Sequence, residues 1–94
     1  MIHIGLYYDV KPGKESEFEK IFHSVTSQLG GEDGFVSGIL YRRVDEPNSY
    51  MILSEWKSLE HFKRFVTSRP FKEVTNNNRS ILMREPYNKV FNTQ

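Results

Sequence analysis

The sequence predicts an α+β fold: a ferredoxin-like β-α-β-β-α-β chain with one four-stranded antiparallel sheet. Three observations carry this. Ile2–Val10 alternates apolar and mixed residues with a period of two. Glu15–Leu29 repeats its apolar residues with helical spacing. Ser49–Trp56 alternates again, and the period turns helical at once from Leu59.

In strand 1, Ile2, Ile4, Leu6, Tyr8 and Val10 share one face, and His3, Gly5, Tyr7 and Asp9 the other. Lys11-Pro12-Gly13-Lys14 is a turn. Helix 1 spans Glu15–Leu29, with Phe18, Ile21, Phe22, Val25 and Leu29 on its stripe and Glu15, Glu17 and Glu19 near its positive end. Gly30-Gly31 predicts a left-handed stop, and Glu32-Asp33-Gly34 a short loop. Strand 2 is predicted over Phe35–Val44. The turn Asp45-Glu46-Pro47-Asn48 makes strand 3, Ser49–Trp56, its antiparallel neighbour.

Strand 3 has apolar residues on both faces: Tyr50, Ile52 and Trp56 on one, Met51 and Leu53 on the other. Ser58 offers an N-cap hydroxyl. Helix 2, Leu59–Thr67, carries Leu59, Phe62, Phe65 and Val66 on one stripe. A break follows at Ser68-Arg69-Pro70, then a short helical turn over Phe71–Thr75 and a loop at Asn76-Asn77-Asn78. Ser80–Arg84 and Tyr87–Phe91 read as one last strand interrupted at Glu85-Pro86. Asn92-Thr93-Gln94 is expected to be loose. Trp56, the single tryptophan, stands where strand becomes helix; it is either a plain core residue or the wall of a cavity.

Ninety-four residues make one domain, 1–94. Thirteen basic against 12 acidic residues leave a net charge of +1, which disfavours a nucleic-acid binder. No cysteine is present, which rules out disulfides and thiolate-bound metals and suits a cytoplasmic protein. No apolar run is long enough for a membrane span, and the first residues do not read as a signal peptide.

Two helices cover only one face of a four-stranded sheet. The other face holds Tyr7, Met51 and Leu53, which predicts a homodimer packed sheet to sheet; the alternative is a monomer whose outer face meets water. His3, His23 and His61 are not spaced as a metal pair. Glu55 is expected to pair with Arg42 or Arg43. No Ser-His-Asp arrangement, phosphate loop or carboxylate pair emerges, and no general base.

Three stretches together resemble the antibiotic biosynthesis monooxygenase family of the dimeric α/β-barrel superfamily. They are VKPGKESEFEKIF (Val10–Phe22), Gly34-Phe35 and LSEWKSLEHFKRFVTSRPFK (Leu53–Lys72). The resemblance covers about residues 1–91 and implies a dimeric barrel with a ligand pocket between helices and sheet in each protomer. Some members oxidise polycyclic phenols or quinols with O2 and neither metal nor flavin. It makes Leu6, Tyr8, Phe22, Trp56, Phe62, Phe65 and Thr75 the candidate substrate-binding residues and implies no cofactor. Another branch degrades haem through a strand 1 Asn, a helix 2 Trp and a His ligand after helix 2. This chain has Leu6, Phe65 and Thr75 there. Haem binding or degradation stays an alternative, as does a non-catalytic ligand-binding or stress protein.

Overall fold

The first strand, β1 (Ile2–Asp9), lies inside the sheet, and its clean alternation follows from that position. In the computed structural model, which describes residues 1–93, β1 is followed by α1 (Glu15–Leu29), β2 (Phe35–Arg42) and β3 (Ser49–Trp56). Then come α2 (Leu59–Val66), α3 (Arg69–Asn77), a 3-10 turn (Arg79–Ile81) and β4 (Tyr87–Asn92). The sheet order is β2-β3-β1-β4, with every neighbouring pair antiparallel. Ile2 stands opposite Trp56 and Tyr8 opposite Tyr50, so β1 and β3 run their full lengths together.

The helices cover the face carrying Ile2, Ile4, Leu6, Tyr8 and Val10. Ile4 and Val10 are fully buried. The core is in two parts. Val10, Phe18, Tyr50 and Ile81 form one cluster. Ile4, Trp56 and Phe62 form the other, with Leu29, Phe35, Phe65 and Val66 packed around it. Among the described residues no helix is long and apolar enough to cross a membrane.

β1, α1 and β3 match their predicted extents, apart from Val10, which makes only an isolated bridge to Leu82. α2 ends one residue early, with Thr67 as its cap, and Ser58 accepts from the His61 amide as predicted. Elsewhere the chain departs from expectation. β2 stops at Arg42 because Arg43 turns back onto Asp45 and Glu46, and Val44 is fully exposed with nothing to pack against. Gly30 keeps a right-handed backbone (φ −56°). The left-handed residue is Gly34 (φ 83°), which closes a turn in which the Glu32 amide donates to Leu29 and the Phe35 amide to Glu32.

Pro70 opens a helix rather than ending one. It sits in the first turn of α3, where its missing N–H removes no helical bond. α3 takes in Asn76 and Asn77, which were expected in a loop, because the Asn78 side chain bonds the Val74 carbonyl at 2.8 Å and serves as its end. Ser80–Arg84 is not a strand. Ile81 turns inward from the 3-10 turn to join the core, leaving only the Val10–Leu82 bridge with its flanking amide bonds. Asn92 belongs to β4; Gln94 lies outside the described residues. Glu55 pairs with His3, directly across the ladder at 3.2 Å, while Arg42 reaches Glu19 on α1 and Arg43 stays in its own turn.

A methyl group on Gly34 would lie 2.2 Å from His61 Cγ, and its φ disfavours any side chain. Gly34→Ala is therefore expected to cost on the order of 1–3 kcal/mol from the backbone alone, plus the clash. In urea denaturation, a second change, His61→Ala, should return the steric share and leave the backbone share. A Gly34→Ala midpoint equal to that of the parent would show the turn to be built differently.

Candidate functional site

Between the two core clusters and beneath the helices lies a cavity of about 340 Å³. Its floor is the helix-facing side of the sheet: Leu6 and Tyr8 from β1, Gly38 from β2, and Ile52, Ser54 and Trp56 from β3. α1 supplies one wall through Phe18, Ile21, Phe22, Val25 and Leu29. These are the residues of its apolar stripe, so the helix faces partly onto space rather than protein. α2 adds Phe62 and Phe65, and α3 adds Phe71, Val74 and Thr75. All seven predicted residues, Leu6, Tyr8, Phe22, Trp56, Phe62, Phe65 and Thr75, stand on this wall.

The polar groups on the wall are few and unequal. Ser54 donates to the Ile4 carbonyl and Ser68 to the Phe65 carbonyl, so their hydroxyl donors are spent on the fold, and the Asn78 amide gives one of its two N–H groups to the Val74 carbonyl. Among the described residues the Tyr8 hydroxyl makes no hydrogen bond. Burial raises the Tyr8 phenol to about 12, because the phenolate would lose its water. Tyr8 is thus a neutral donor at ordinary pH.

Trp56 is only 1% exposed, and its indole N–H has no oxygen or nitrogen acceptor. Rings surround it instead. Phe35 and Phe62 stand edge-on at 5.3 and 5.7 Å, and Phe65 is tilted at 5.5 Å. Such packing fixes the indole by shape, with weak N–H to ring attraction as the polar remainder.

Glu32 is the one residue with a full charge on the wall. Among the described residues no Lys, Arg or His lines the cavity. Sequence reasoning missed Glu32 because it sits in the irregular turn after α1, where no periodicity points a side chain. Phe71 and Val74 fall in the short helical turn expected after the break but were not singled out, and Ile81 was missed because its 3-10 turn was read as strand.

The histidines lie elsewhere. His3 pairs with Glu55 on the far sheet face, and the exposed His23 meets the Phe22 ring edge-on. His61 is not part of the wall. Its Nδ1 lies 2.6 Å from Ser58 Oγ and its Nε2 3.5 Å from Asp33 Oδ2. The three groups of a hydrolase triad are therefore adjacent, but Ser58 is occupied as the cap of α2 and none of the three touches the cavity. Among the described residues no cluster of three metal-ligating side chains occurs.

The ferredoxin-like sheet with a ring-lined cavity under its helices places the chain in the α+β class. The chain belongs to the antibiotic biosynthesis monooxygenase family, whose sequence profile matches residues 1–77, from β1 to the end of α3. It is 30% identical over 83 residues to the "Putative heme-binding protein" of Natronomonas pharaonis, and 30% identical over 74 residues to protein YczJ of Bacillus subtilis. The first match takes in 88% of this chain but 14% of that protein, and the second 78% of each. The chain thus spans about one seventh of the length of the first relative. Among solved structures, a conserved protein of Methanosarcina mazei superposes with TM-score 0.89 at 24% identity, covering 99% of this chain and 92% of that one. SnoaB of Streptomyces nogalater, a cofactor-independent oxygenase, superposes with TM-score 0.85 at 22% identity and the same two coverages. At these identities the structural matches establish the fold.

Tyr50 is likewise raised to about 12, first by burial and then by its 2.5 Å hydrogen bond to Glu19. An unfolded tyrosine ionises near pH ~10. The stabilisation from both phenols is therefore complete below pH ~10 and is lost as pH rises through about 12. In an absorbance titration at the tyrosinate band, Tyr8→Phe and Tyr50→Phe should each remove one tyrosine's rise near pH 12. Loss of an earlier step instead would show that the phenol is not held neutral.

Proposed function

We propose that the chain is a cofactor-independent monooxygenase that oxidises a small, neutral, multi-ring phenol or quinol, or its keto tautomer, in this cavity. The carrying observation is the wall itself: mostly rings and aliphatic groups, with a few neutral polar side chains, one phenol held protonated and one acidic residue, and no basic residue among the described residues. Such a wall takes up a flat apolar molecule and O2 and keeps water out. The chemistry balances without an external reductant. A ring methylene becomes a carbonyl, one oxygen atom enters the substrate, and the other leaves as water with the two hydrogens. The four electrons that reduce O2 come from the substrate.

The names of four relatives raise haem, and the wall does not suit it. It offers no His, Cys, Met or Lys to hold iron, Tyr8 stays a neutral phenol, and no Arg or Lys lines the space to meet the propionates. Leu6, Phe65 and Thr75 fill the three positions where haem degraders carry Asn, Trp and His. A haem titration is expected to leave the Soret band of free haem unchanged.

The test is turnover of anthrone, a three-ring ketone, under 18O2. One labelled oxygen atom per product molecule is expected. Binding without turnover would leave a non-catalytic ligand-binding protein.

We also propose a homodimer, joined through the sheet face away from the helices. There Ile39, Tyr41, Tyr87 and Phe91 are 46–53% exposed. Met51, Leu53 and a stacked Tyr7–Tyr87 pair, with ring centroids 4.9 Å apart, share the same face. A continuous apolar face of this kind is sticky in water and suits a second copy of itself. Sedimentation equilibrium is expected to give twice the chain mass, and Leu53→Glu to give a folded monomer. A parent chain that sediments as a monomer would sink this assembly. The cysteine-free composition supports a cytoplasmic site of action.

A further inference from the structure

We propose that Glu32 is the general base of this cavity, taking the proton whose loss makes the bound ring molecule reactive toward O2; this rests on the monooxygenase reading above. A neutral phenol or ring ketone gives electrons to O2 slowly, whereas its anion does so readily. A group in the wall must therefore accept a proton. Glu32 is the one acidic residue among the described residues that line the cavity.

The alternatives are weaker. Tyr8 is itself a held phenol, Trp56 offers only a donor, and His61 faces Ser58 and Asp33 outside the wall. Among the described residues the Glu32 carboxylate makes no ion pair and no hydrogen bond, so its lone pairs are free for a substrate.

The turn that carries Glu32 is fastened on both sides. Its amide donates to the Leu29 carbonyl at 2.9 Å, and its own carbonyl accepts from the Phe35 amide at 3.3 Å. Phe35 in turn stands opposite Trp56 in the sheet with the two rings 5.3 Å apart, so the turn is tied to the indole end of the cavity. Glu32 is half-buried, and it can pass the captured proton on to solvent.

In the step itself, the ring methylene C–H bond (O–H in the phenol tautomer) breaks. Its electron pair stays on the substrate as the enolate, and the proton forms a new O–H bond at a Glu32 Oε. No oxidant is needed at this stage, which separates it from the oxygen chemistry that follows. The lone negative charge also sets a preference. Neutral ring ketones and phenols are accepted, and their carboxylated analogues are repelled.

The experiment is exchange of the anthrone methylene hydrogens with D2O under strict anaerobiosis, followed by proton NMR. The parent protein is expected to accelerate exchange above the buffer rate. Glu32→Gln should lower the protein-dependent rate by about 100-fold or more. Its affinity for anthrone, read from quenching of Trp56 fluorescence, should stay within about twofold. Glu32→Asp should retain an intermediate rate. Equal exchange by Glu32→Gln and the parent would overturn the assignment, as would a parent that does not exceed buffer. Loss of anthrone binding in Glu32→Gln would overturn it as well, making Glu32 a binding group. Exchange by the parent alone, with no labelled oxygen in the aerobic product, would uphold Glu32 as the base and remove the monooxygenase reading.

Discussion

The structure depends on the register between β1 and β3. With Ile2 opposite Trp56 and Tyr8 opposite Tyr50, every odd-even choice along both strands is made at once. One face gathers Ile4, Leu6, Tyr8, Ile52, Ser54 and Trp56 under the helices. The other gathers His3, Tyr7, Met51, Leu53 and Glu55. A slip of β1 by one residue would turn His3, Tyr7 and Asp9 beneath the helices and part His3 from Glu55, at the cost of buried polar groups without partners. The pair His3–Glu55 on the open face thus marks the correct register as firmly as the buried Ile4 does.

From that register the division of labour follows. The helix-side face ends in Trp56 at one side and Tyr8 at the other, and the helices bridge between them. Two packed clusters form there, with a cavity lined by both. The cavity inherits the chemistry of helix stripes and strand faces, which is why it is almost wholly apolar. Its charged group enters from a turn, the one kind of element exempt from the packing pattern.

This also explains what could be read from the chain alone. Elements whose burial is one-sided announce themselves by period, and β1, α1 and β3 are legible nearly to the residue. The seven wall residues lie on such elements or at positions carried by family likeness. The ambiguities fall where a short apolar run fits two periods. Ile81-Leu82-Met83 looks like a strand, yet a 3-10 turn sends Ile81 inward. Pro70 looks like a stop, yet a break at Thr67-Ser68 lets it begin a helix. Gly30 looks like the left-handed residue, yet the strained position is Gly34, set by the approach of His61. Glu32 was invisible for the same reason: in a turn, side-chain direction is decided by backbone bonds formed with Leu29 and Phe35.

A core left in two halves has a thermodynamic consequence. The rings and methyl groups around the cavity lack part of the protein contact they would have in a closely packed interior. A ring molecule that fits the cavity would supply such contact. An occupant that binds only the folded form adds about 2.7 kcal/mol at a hundred times its dissociation constant. For a domain of this size that amounts to several degrees in melting temperature, roughly 10–20 °C. Thermal stability of this protein is thus a readout of occupancy, and a survey of melting temperatures across ring compounds would rank its ligands before any reaction is known.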